Sequence, residues 1–495
     1  MNFSKSLYTK AIQCPKALWL KKYKKEILTP PDATALARFE TGNVVGELAC
    51  KLFPNGREVI YNPDDFNSMV ETTKQWMDDG LEYIYEATFI YEGILVLVDV
   101  LKITPNGLEI YEVKSSSSVK DIYLHDVSIQ LYVLKQLGHS VIRSNVVHID
   151  NSYVRGDELD LNELFKIVDV SDEVNALQVE IPKRLEEFEI YLADRDNEPD
   201  IDIGSHCNKP YECDAKEYCW RVQRKIPEYS MFNIFNLGSK KQIELYEQGI
   251  VNIEDISDDY PVTAIQKQKV QNWKEQATYI DKEKIKDFLD TLSYPIYHLD
   301  FETFQQAIPE WKGISPYQQI PFQYSLHIEH EDGRLEHKEF LAIDGIDLRF
   351  ELAKKLVKDI PTDVTVLAYY MSFEKGVIEN LAKLYDELSS HLREINENVC
   401  DLIVPFKKQY YMTPLMKGSN SIKDVLPALV PEMKQAYKDL VGIKNGGEAM
   451  NAFPKLSSMS PDEKEETRNA LLEYCKLDTL AMVEVLKKLK EVVND

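Results

Sequence analysis

The chain has 495 residues, 44% of them hydrophobic, and a formal net charge of -25 from 83 acidic and 58 basic side chains. That length predicts two or three domains rather than one, and the charge excludes a generic duplex-coating protein, whose binding runs on cationic neutralisation of phosphate. It does not exclude metal-dependent phosphodiester chemistry, in which clustered carboxylates hold divalent ions that supply local positive charge.

The first 25 residues hold seven lysines and end in KKYKK. Such a run reads as a solvated face or as a phosphate-contacting arm. MNFSKSLYTK has no apolar signal-peptide core, and the longest apolar stretch, GILVLVDVL, is too short for a membrane helix. A cytoplasmic protein with no membrane partner is therefore expected. Residues 83–90, 94–101 and 108–114 predict strands, the last two joined by a turn at Pro105-Asn106-Gly107. A helix is expected over 125–138. Residues 229–288 are polar and read as a helical connector, either plain or as a phosphate-contacting helix-hairpin-helix. From 289 a second α/β pattern begins, with strands in 294–302, 321–329, 337–343 and 364–370 and a hairpin turn at 331–333. Helices follow from Phe373, from Ile422, and from about Asp462 to the end. No Walker A pattern occurs, so unwinding of long duplexes would fall to a helicase or another motor partner.

Four of the seven cysteines bracket the first strand-rich segment. Cys14 stands alone in QCPKALWL, and Cys207, Cys213 and Cys219 follow with Cys-x5-Cys-x5-Cys spacing. Zinc ribbons use tight Cys-x2-Cys pairs, which this set lacks. Four thiolates suit a [4Fe–4S] cluster, with Pro210, Tyr211, Tyr218 and Trp220 placed to shield it; plain core thiols are the third reading. Cys50, Cys400 and Cys475 read as buried thiols, and His206 as a loop cap.

Between the cysteines lie VDV, with Asp99, and YEVKS, with Glu112 and Lys114. Strand alternation puts Glu112 and Lys114 on one face, and the hairpin brings Asp99 beside them. Two carboxylates on one surface repel unless a cation joins them; a divalent ion does so, with Lys114 orienting a water or stabilising developing charge. The alternative is an exposed sheet face with a solvated Glu–Lys pair. The order QCPKALWL, GNVVGELA, VDV…EVK…QLYVL and three late cysteines resembles the iron–sulfur branch of the RecB-like PD-(D/E)XK nucleases, which includes the CRISPR-associated RecB-like exonucleases, over roughly residues 1–225. The resemblance implies a restriction-endonuclease-like core and a structural [4Fe–4S] cluster on Cys14, Cys207, Cys213 and Cys219. It also implies metal on Asp99 and Glu112, and a Gln-x-Tyr element at Gln130 and Tyr132. Many relatives carry a metal-binding histidine after a glycine of the early helix; here GNVVGE offers Gly46 and no histidine, leaving Glu47 or Glu86 as substitutes.

A second acidic set follows. HLDFETF puts Asp300 and Glu302 on one strand face, YYMSFEKGVI puts Glu374 at a strand-to-helix junction, and LLEYCKLDTLAM puts Tyr474 and Asp478 one helical turn apart. Each piece alone is a common string. Together and in this order they resemble the DEDDy subgroup of DnaQ-like, RNase H-like 3′–5′ exonucleases, over roughly 290–495. That resemblance implies two Mg2+ or Mn2+ ions on Asp300, Glu302, Glu374 and Asp478, with Tyr474 orienting the attacking water. Glu374 stands where aspartate is usual. Asp401 matches a supporting Asp-Leu element, and Lys423, in GSNSIKDVLPAL, reads as a nucleic-acid contact.

The whole order resembles an uncharacterised bacterial family fusing the two domains. The expected organisation is an iron–sulfur RecB-like nuclease domain over 1–228, a helical connector over 229–288 and an RNase H-like exonuclease domain over 289–495. The expected reaction is metal-dependent hydrolysis of single-stranded DNA ends, in repair or anti-phage defence. The competing readings are a nucleic-acid-binding scaffold with one or both sites inactive, and an RNA exonuclease.

Overall fold

A computed structural model describes residues 3–234 and 237–494. The chain divides into two units: the first ends at Lys225 and takes in Gln306–Tyr317, and the second begins at Ile226 and holds the remainder. Both are mixed α/β. The segment 229–288, expected as a connector, therefore belongs to the second unit, where Met231, Leu245, Ile253 and Val270 form a small apolar core. Among the described residues no helix is long and apolar enough to cross a membrane.

The first unit is built on a seven-stranded mixed sheet. Strands β1 (Tyr83–Tyr91), β2 (Ile94–Thr104) and β3 (Gly107–Lys114) are antiparallel neighbours. The turn between β2 and β3 needs Gly107: its φ is 142°, and a Cβ would meet Ser140 O at 2.6 Å. Helix α1 (Lys5–Gln13) opens the unit, capped by Ser4 Oγ, which accepts Leu7 N–H. Helix α2 (Asp121–Gln136) crosses from β3 to β4 (Val141–Ile149), which pairs parallel to β3. Alternation along the strands separates two apolar layers. Val96, Val98 and Ile110 pack with Val127, Leu131 and Leu134 of α2. Val100, Tyr111 and Val147 pack with Val45 and Ala49 of the helix Ala33–Cys50.

The second unit carries a five-stranded sheet. Its strands are β5 (Ile296–Phe304), β6 (Ile320–Glu329), β7 (Leu335–Leu341), β8 (Thr365–Ala368) and β9 (Val399–Asp401), in the spatial order β7-β6-β5-β8-β9. The first three form an antiparallel meander, and β8 and β9 run parallel to β5. The hairpin expected at 331–333 joins β6 to β7, with Gly333 at φ 84°. Helix α3 (Ser372–Leu384) follows β8, and α4 (Ile422–Leu429) and α5 (Pro461–Asn494) come later. Tyr297, Leu299 and Phe301 of β5 enter one core with Leu356, Val366 and Ile378. Leu471, Cys475, Met482, Val485 and Leu489 recur at helical spacing as the buried stripe of α5. Tyr474 and Asp478 interrupt that stripe, so the fold places a hydroxyl and a carboxylate where the core would otherwise be apolar.

Candidate metal and cysteine sites

In the second unit, oxygens of Asp300, Glu302 and Asp478 lie within 4.8 Å of one another. Glu374, in the first turn of α3, is only 2% exposed, and its Oε2 has no hydrogen-bond partner among the described residues. The Tyr437 hydroxyl donates to Asp478 Oδ1 at 2.7 Å, and the Cys475 thiol donates to Asp300 Oδ2 at 3.5 Å. Lys423 Nζ donates to Tyr474 Oη at 3.2 Å and to the Lys444 carbonyl at 3.1 Å. It also sits 5.3 Å and 4.9 Å from the ring centres of Tyr437 and Tyr474. The backbone at Gly446 lines the same space: a Cβ there would meet Glu302 Oε2 at 3.7 Å and Tyr474 Oη at 3.9 Å.

The electrostatics of this set are those of carboxylates short of a cation. Burial, then Asp478, Glu302 and Glu374, hold Asp300 well above the usual carboxylate range. Burial and Asp478 push Glu302 up to about 8, against the pull of Lys423. Burial pushes Glu374 up to about 8; a backbone hydrogen bond opposes this and Asp401 adds to it. Asp478 is also raised by burial, with Tyr437 and Lys423 easing it. Burial and the neighbouring Asp478, Glu302 and Asp300 raise Tyr474 far above its ordinary value, so its hydroxyl stays protonated. Like charges at this range cannot all ionise unaided. The donor set is all oxygen, and one buried oxygen is orphaned, which suits a hard divalent ion such as Mg2+ or Mn2+. Asp401 does not join them. Its Oδ1 accepts Tyr370 N–H at 2.9 Å and Ile403 N–H at 3.2 Å. It thereby holds Tyr370 at φ 76°, an uncommon backbone setting two residues before α3.

In the first unit the β2–β3 ladder runs from Thr104 and Gly107 to Val100 and Tyr111. One residue further, Asp99 Oδ2 accepts Val113 N–H at 2.7 Å in place of a ladder carbonyl. Glu112, Lys114 and Gln130 come together as expected, but they come with two residues the sequence reading missed. Lys5 Nζ lies 3.0 Å from each Glu112 oxygen, 3.4 Å from Asp99 Oδ1 and 3.9 Å from Asp126 Oδ1. Lys114 Nζ donates to Glu112 Oε1 and Asp126 Oδ2, both at 2.6 Å, and Gln130 Nε2 donates to Glu112 Oε2 at 2.7 Å. Burial is outweighed by the carboxylates around both ammonium groups, which hold Lys5 and Lys114 above their usual range. Asp126 is buried too, yet Lys114 and Lys5 hold it below its usual range. Burial, with Asp126 and Asp99, pushes Glu112 up to about 7. Glu86 is beside Asp99 on a β1 irregularity, at φ 52°, and burial and Asp99 raise it to about 7. Ammonium groups stand where the expected divalent ion would, so as arranged these residues do not fit one.

Cys14, Cys207, Cys213 and Cys219 line one cavity of about 310 Å3, its solvent mouth included, and none forms a disulfide. Burial pushes Cys213 and Cys219 up to about 11. Cys207 is lowered: burial is overcome by hydrogen bonds from His206, the Gly204 backbone and Trp220. His206 is more than a loop cap, because hydrogen bonds to Cys14 and Cys207 raise it to about 10. Four convergent thiols around a cavity, with side-chain donors aimed at sulfur, fit a thiolate-bound cluster. The site is clamped from outside. Lys10 Nζ pairs with Asp214 at 2.6 Å, Gln13 Nε2 donates to the His206 and Tyr211 carbonyls at 2.8 Å, and buried Lys16 pairs with Glu198 at 3.1 Å.

Other candidates fall elsewhere. Tyr132 packs edge-on to Tyr91, away from Glu112. Glu47 is exposed on its helix. Of the missed residues, Asp126 had a signal, lying one helical turn before Gln130; Tyr437 and Lys5 had none.

Residues 297–421 match a family described as a domain of unknown function (DUF2779). That span contains Asp300, Glu302 and Glu374 and ends before Tyr474 and Asp478. An uncharacterised protein of Ureaplasma parvum serovar 3 is 27% identical over 219 residues, 40% of this chain and 31% of its own length. An uncharacterised protein of Mycoplasma genitalium is 23% identical over 239 residues, 45% of this chain and 36% of its own. The chain thus spans about a third of the length of the curated relatives it matches.

Proposed function

We propose that the second unit is a divalent-metal-dependent phosphodiesterase that removes nucleotides from the 3′ ends of single-stranded DNA. The observation that carries this reading is the convergence of Asp300, Glu302 and Asp478, with Glu374 buried beside them. Lys423, the ammonium group that eases Glu302 and Asp478, bonds the Tyr474 hydroxyl and the Lys444 carbonyl. A divalent ion held there would polarise a phosphate oxygen and lower the pKa of a bound water. Tyr474 stands between Lys423 and Asp478, where its hydroxyl orients the attacking water. Lys423 supplies a cation for a phosphate oxygen. The strand order, third-second-first-fourth-fifth with an antiparallel first meander, supports an RNase H-like assignment. Glu374, one methylene longer than the usual aspartate, occupies the second-motif position.

For the first unit, the β1–β2–β3 meander and the α2 crossover to a parallel β4 support a RecB-like PD-(D/E)XK reading, and the four convergent cysteines support a structural [4Fe–4S] cluster. The ammonium-filled carboxylates favour a nucleic-acid-binding role there over a cutting one. With no motor motif in the chain, long duplexes would be opened by a partner.

The test is shortening of 3′- and 5′-labelled single-stranded DNA and RNA with Mn2+ or with EDTA. Wild type is expected to shorten DNA from the 3′ end only with Mn2+. Asp300→Asn should abolish this, and Asp99→Asn should leave it intact. Binding of ends without shortening would overturn the enzyme reading in favour of a scaffold; shortening of RNA alone would reassign the substrate.

A further inference from the structure

We infer that Lys5 is the resident cation of the first unit's carboxylate cluster, and that this cluster takes no divalent ion while Lys5 is in place. The inference goes beyond the reaction proposed for the second unit and does not depend on it.

The argument starts from acceptor capacity. An ionised carboxylate has two oxygens and about four lone-pair sites. At Glu112 all four are used: Oε1 accepts from Lys5 at 3.0 Å and from Lys114 at 2.6 Å, while Oε2 accepts from Lys5 at 3.0 Å and from Gln130 at 2.7 Å. Asp99 gives Oδ2 to Val113 N–H at 2.7 Å and faces Lys5 with Oδ1 at 3.4 Å. Asp126 gives Oδ2 to Lys114 at 2.6 Å, and its Oδ1 lies 3.4 Å from Gln130 Nε2 and 3.9 Å from Lys5. A divalent ion would need carboxylate oxygens at about 2.0–2.6 Å. Neither Glu112 oxygen is available until Lys5 withdraws, and because Lys5 also faces Asp99 Oδ1 and Asp126 Oδ1, an ammonium group and a divalent cation on these oxygens would repel.

Charge leads to the same place. Asp99, Glu112 and Asp126 face two ammonium groups, which offset all but one of their charges, and Glu112 is only 1% exposed. Removing a partner from such a buried network leaves a carboxylate uncompensated, so the site without Lys5 demands another cation. Lys5 is also a fixed group rather than a loose surface lysine. It is the first residue of α1, which is capped by Ser4 and buries Tyr8 and Ala11. The far end of the helix is tied by Lys10 to Asp214 and by Gln13 to the His206 and Tyr211 carbonyls, and it ends at Cys14. The helix that supplies a cysteine thus also delivers the ammonium group to the acidic site.

The experiment is a count of bound Mn2+ on the full chain by electron paramagnetic resonance, which needs no substrate. Wild type and Asp99→Asn are expected to bind the same number of ions, none of them at Asp99 and Glu112. The amide left by Asp99→Asn can still accept from Val113 N–H, so this comparison does not hinge on a fragile variant. Lys5→Gln is expected to gain one ion, and Lys5→Gln combined with Asp99→Asn to lose it again. If Asp99→Asn removes one ion from wild type, or if folded Lys5→Gln gains none, the inference is overturned. Should Lys5→Gln fail to fold, the wild-type and Asp99→Asn counts decide alone.

Discussion

Metal binding in the second unit should release protons, and the structure says how many. Glu302 and Glu374 are each pushed from 4.5 up to about 8 by burial first of all. A folded-state pKa above the unfolded value means that the folded chain binds more protons. The stability this lends is present in full below about 4.5 and is lost as pH rises through about 8. Holding one such proton at pH 7 costs about 3 kcal/mol, from a shift worth about 1.4 kcal/mol per pH unit over the interval from the unfolded value. For a unit of this size that is on the order of 5–10 °C in Tm. The two groups share one pocket, so the costs do not add. Without metal, the melting transition of the second unit should therefore fall between pH 5 and pH 8. With saturating Mn2+ the slope should vanish, and the apparent affinity should rise by up to about tenfold per pH unit for each proton displaced. Calorimetric titration at pH 7 in two buffers of different ionisation enthalpy reads the proton count directly, with one to two expected and about one fewer in Glu302→Gln. Mn2+ binding with no proton release and no pH dependence would refute the reasoning, because the carboxylates would then already be ionised before metal arrives.

Three further outcomes are expected. Tyr474→Phe should lower kcat by about 10²-fold while leaving the Mn2+ count unchanged, as judged by single-turnover DNA shortening; an unchanged rate would remove Tyr474 from the reaction. Lys16→Ala should destabilise the first unit by about 2 kcal/mol in urea unfolding, since the buried ammonium bonds Glu198 at 3.1 Å and Gln223 Oε1 at 2.7 Å while Glu198 keeps Lys24 and the Tyr218 hydroxyl; a loss below about 1 kcal/mol would class the pair with ordinary surface bridges. Cys207→Ser, purified anaerobically, should lose the broad visible absorption of an iron–sulfur cluster and lower only the first unit's melting transition. A colourless wild type containing zinc would reassign the site.

Period-2 alternation was enough to put Asp300 with Glu302 and Glu112 with Lys114 on single faces, because a strand's pleat leaves no other choice. The helical turn did the same for Tyr474 and Asp478. The turn at Pro105-Asn106-Gly107 was legible because only glycine fits its backbone. Tyr132 was misplaced by treating Gln-x-Tyr as a unit: two residues on a helix do not share a face, and the tyrosine went to the apolar layer against Tyr91. The segment 229–288 looked like a connector because its apolar residues are few; they are enough for a small core within the second unit. Lys5 and Tyr437 were out of reach for a different reason. Local pattern tells which face a side chain takes, not which distant group will meet it there, and 107 residues separate Lys5 from Glu112.

That gap matters most for function, because the two acidic sites look alike in sequence and differ in what neutralises them. Each begins with carboxylates that strand alternation gathers on one face of a sheet. In the first unit one covering helix brings a cation, Lys5 of α1, and the other brings a further carboxylate, Asp126 of α2, which pairs with Lys114 of the strand. Most of the buried charge is offset within the protein, and every oxygen of Glu112 is spoken for. In the second unit the covering helix brings another carboxylate, Asp478, together with a tyrosine, while the ammonium group of Lys423 bonds the tyrosine hydroxyl. Burying four carboxylates with no paired cation is unfavourable for the bare protein. Neutral isosteres would pack there at lower cost, so the arrangement makes physical sense when a cation from solution completes it. A carboxylate cluster paired to its own lysines is therefore weaker evidence for metal chemistry than one whose acids have no paired lysine. By that criterion Asp300, Glu302, Glu374 and Asp478 are the stronger candidates for a metal site, and the proposed reaction is assigned to them rather than to Asp99 and Glu112.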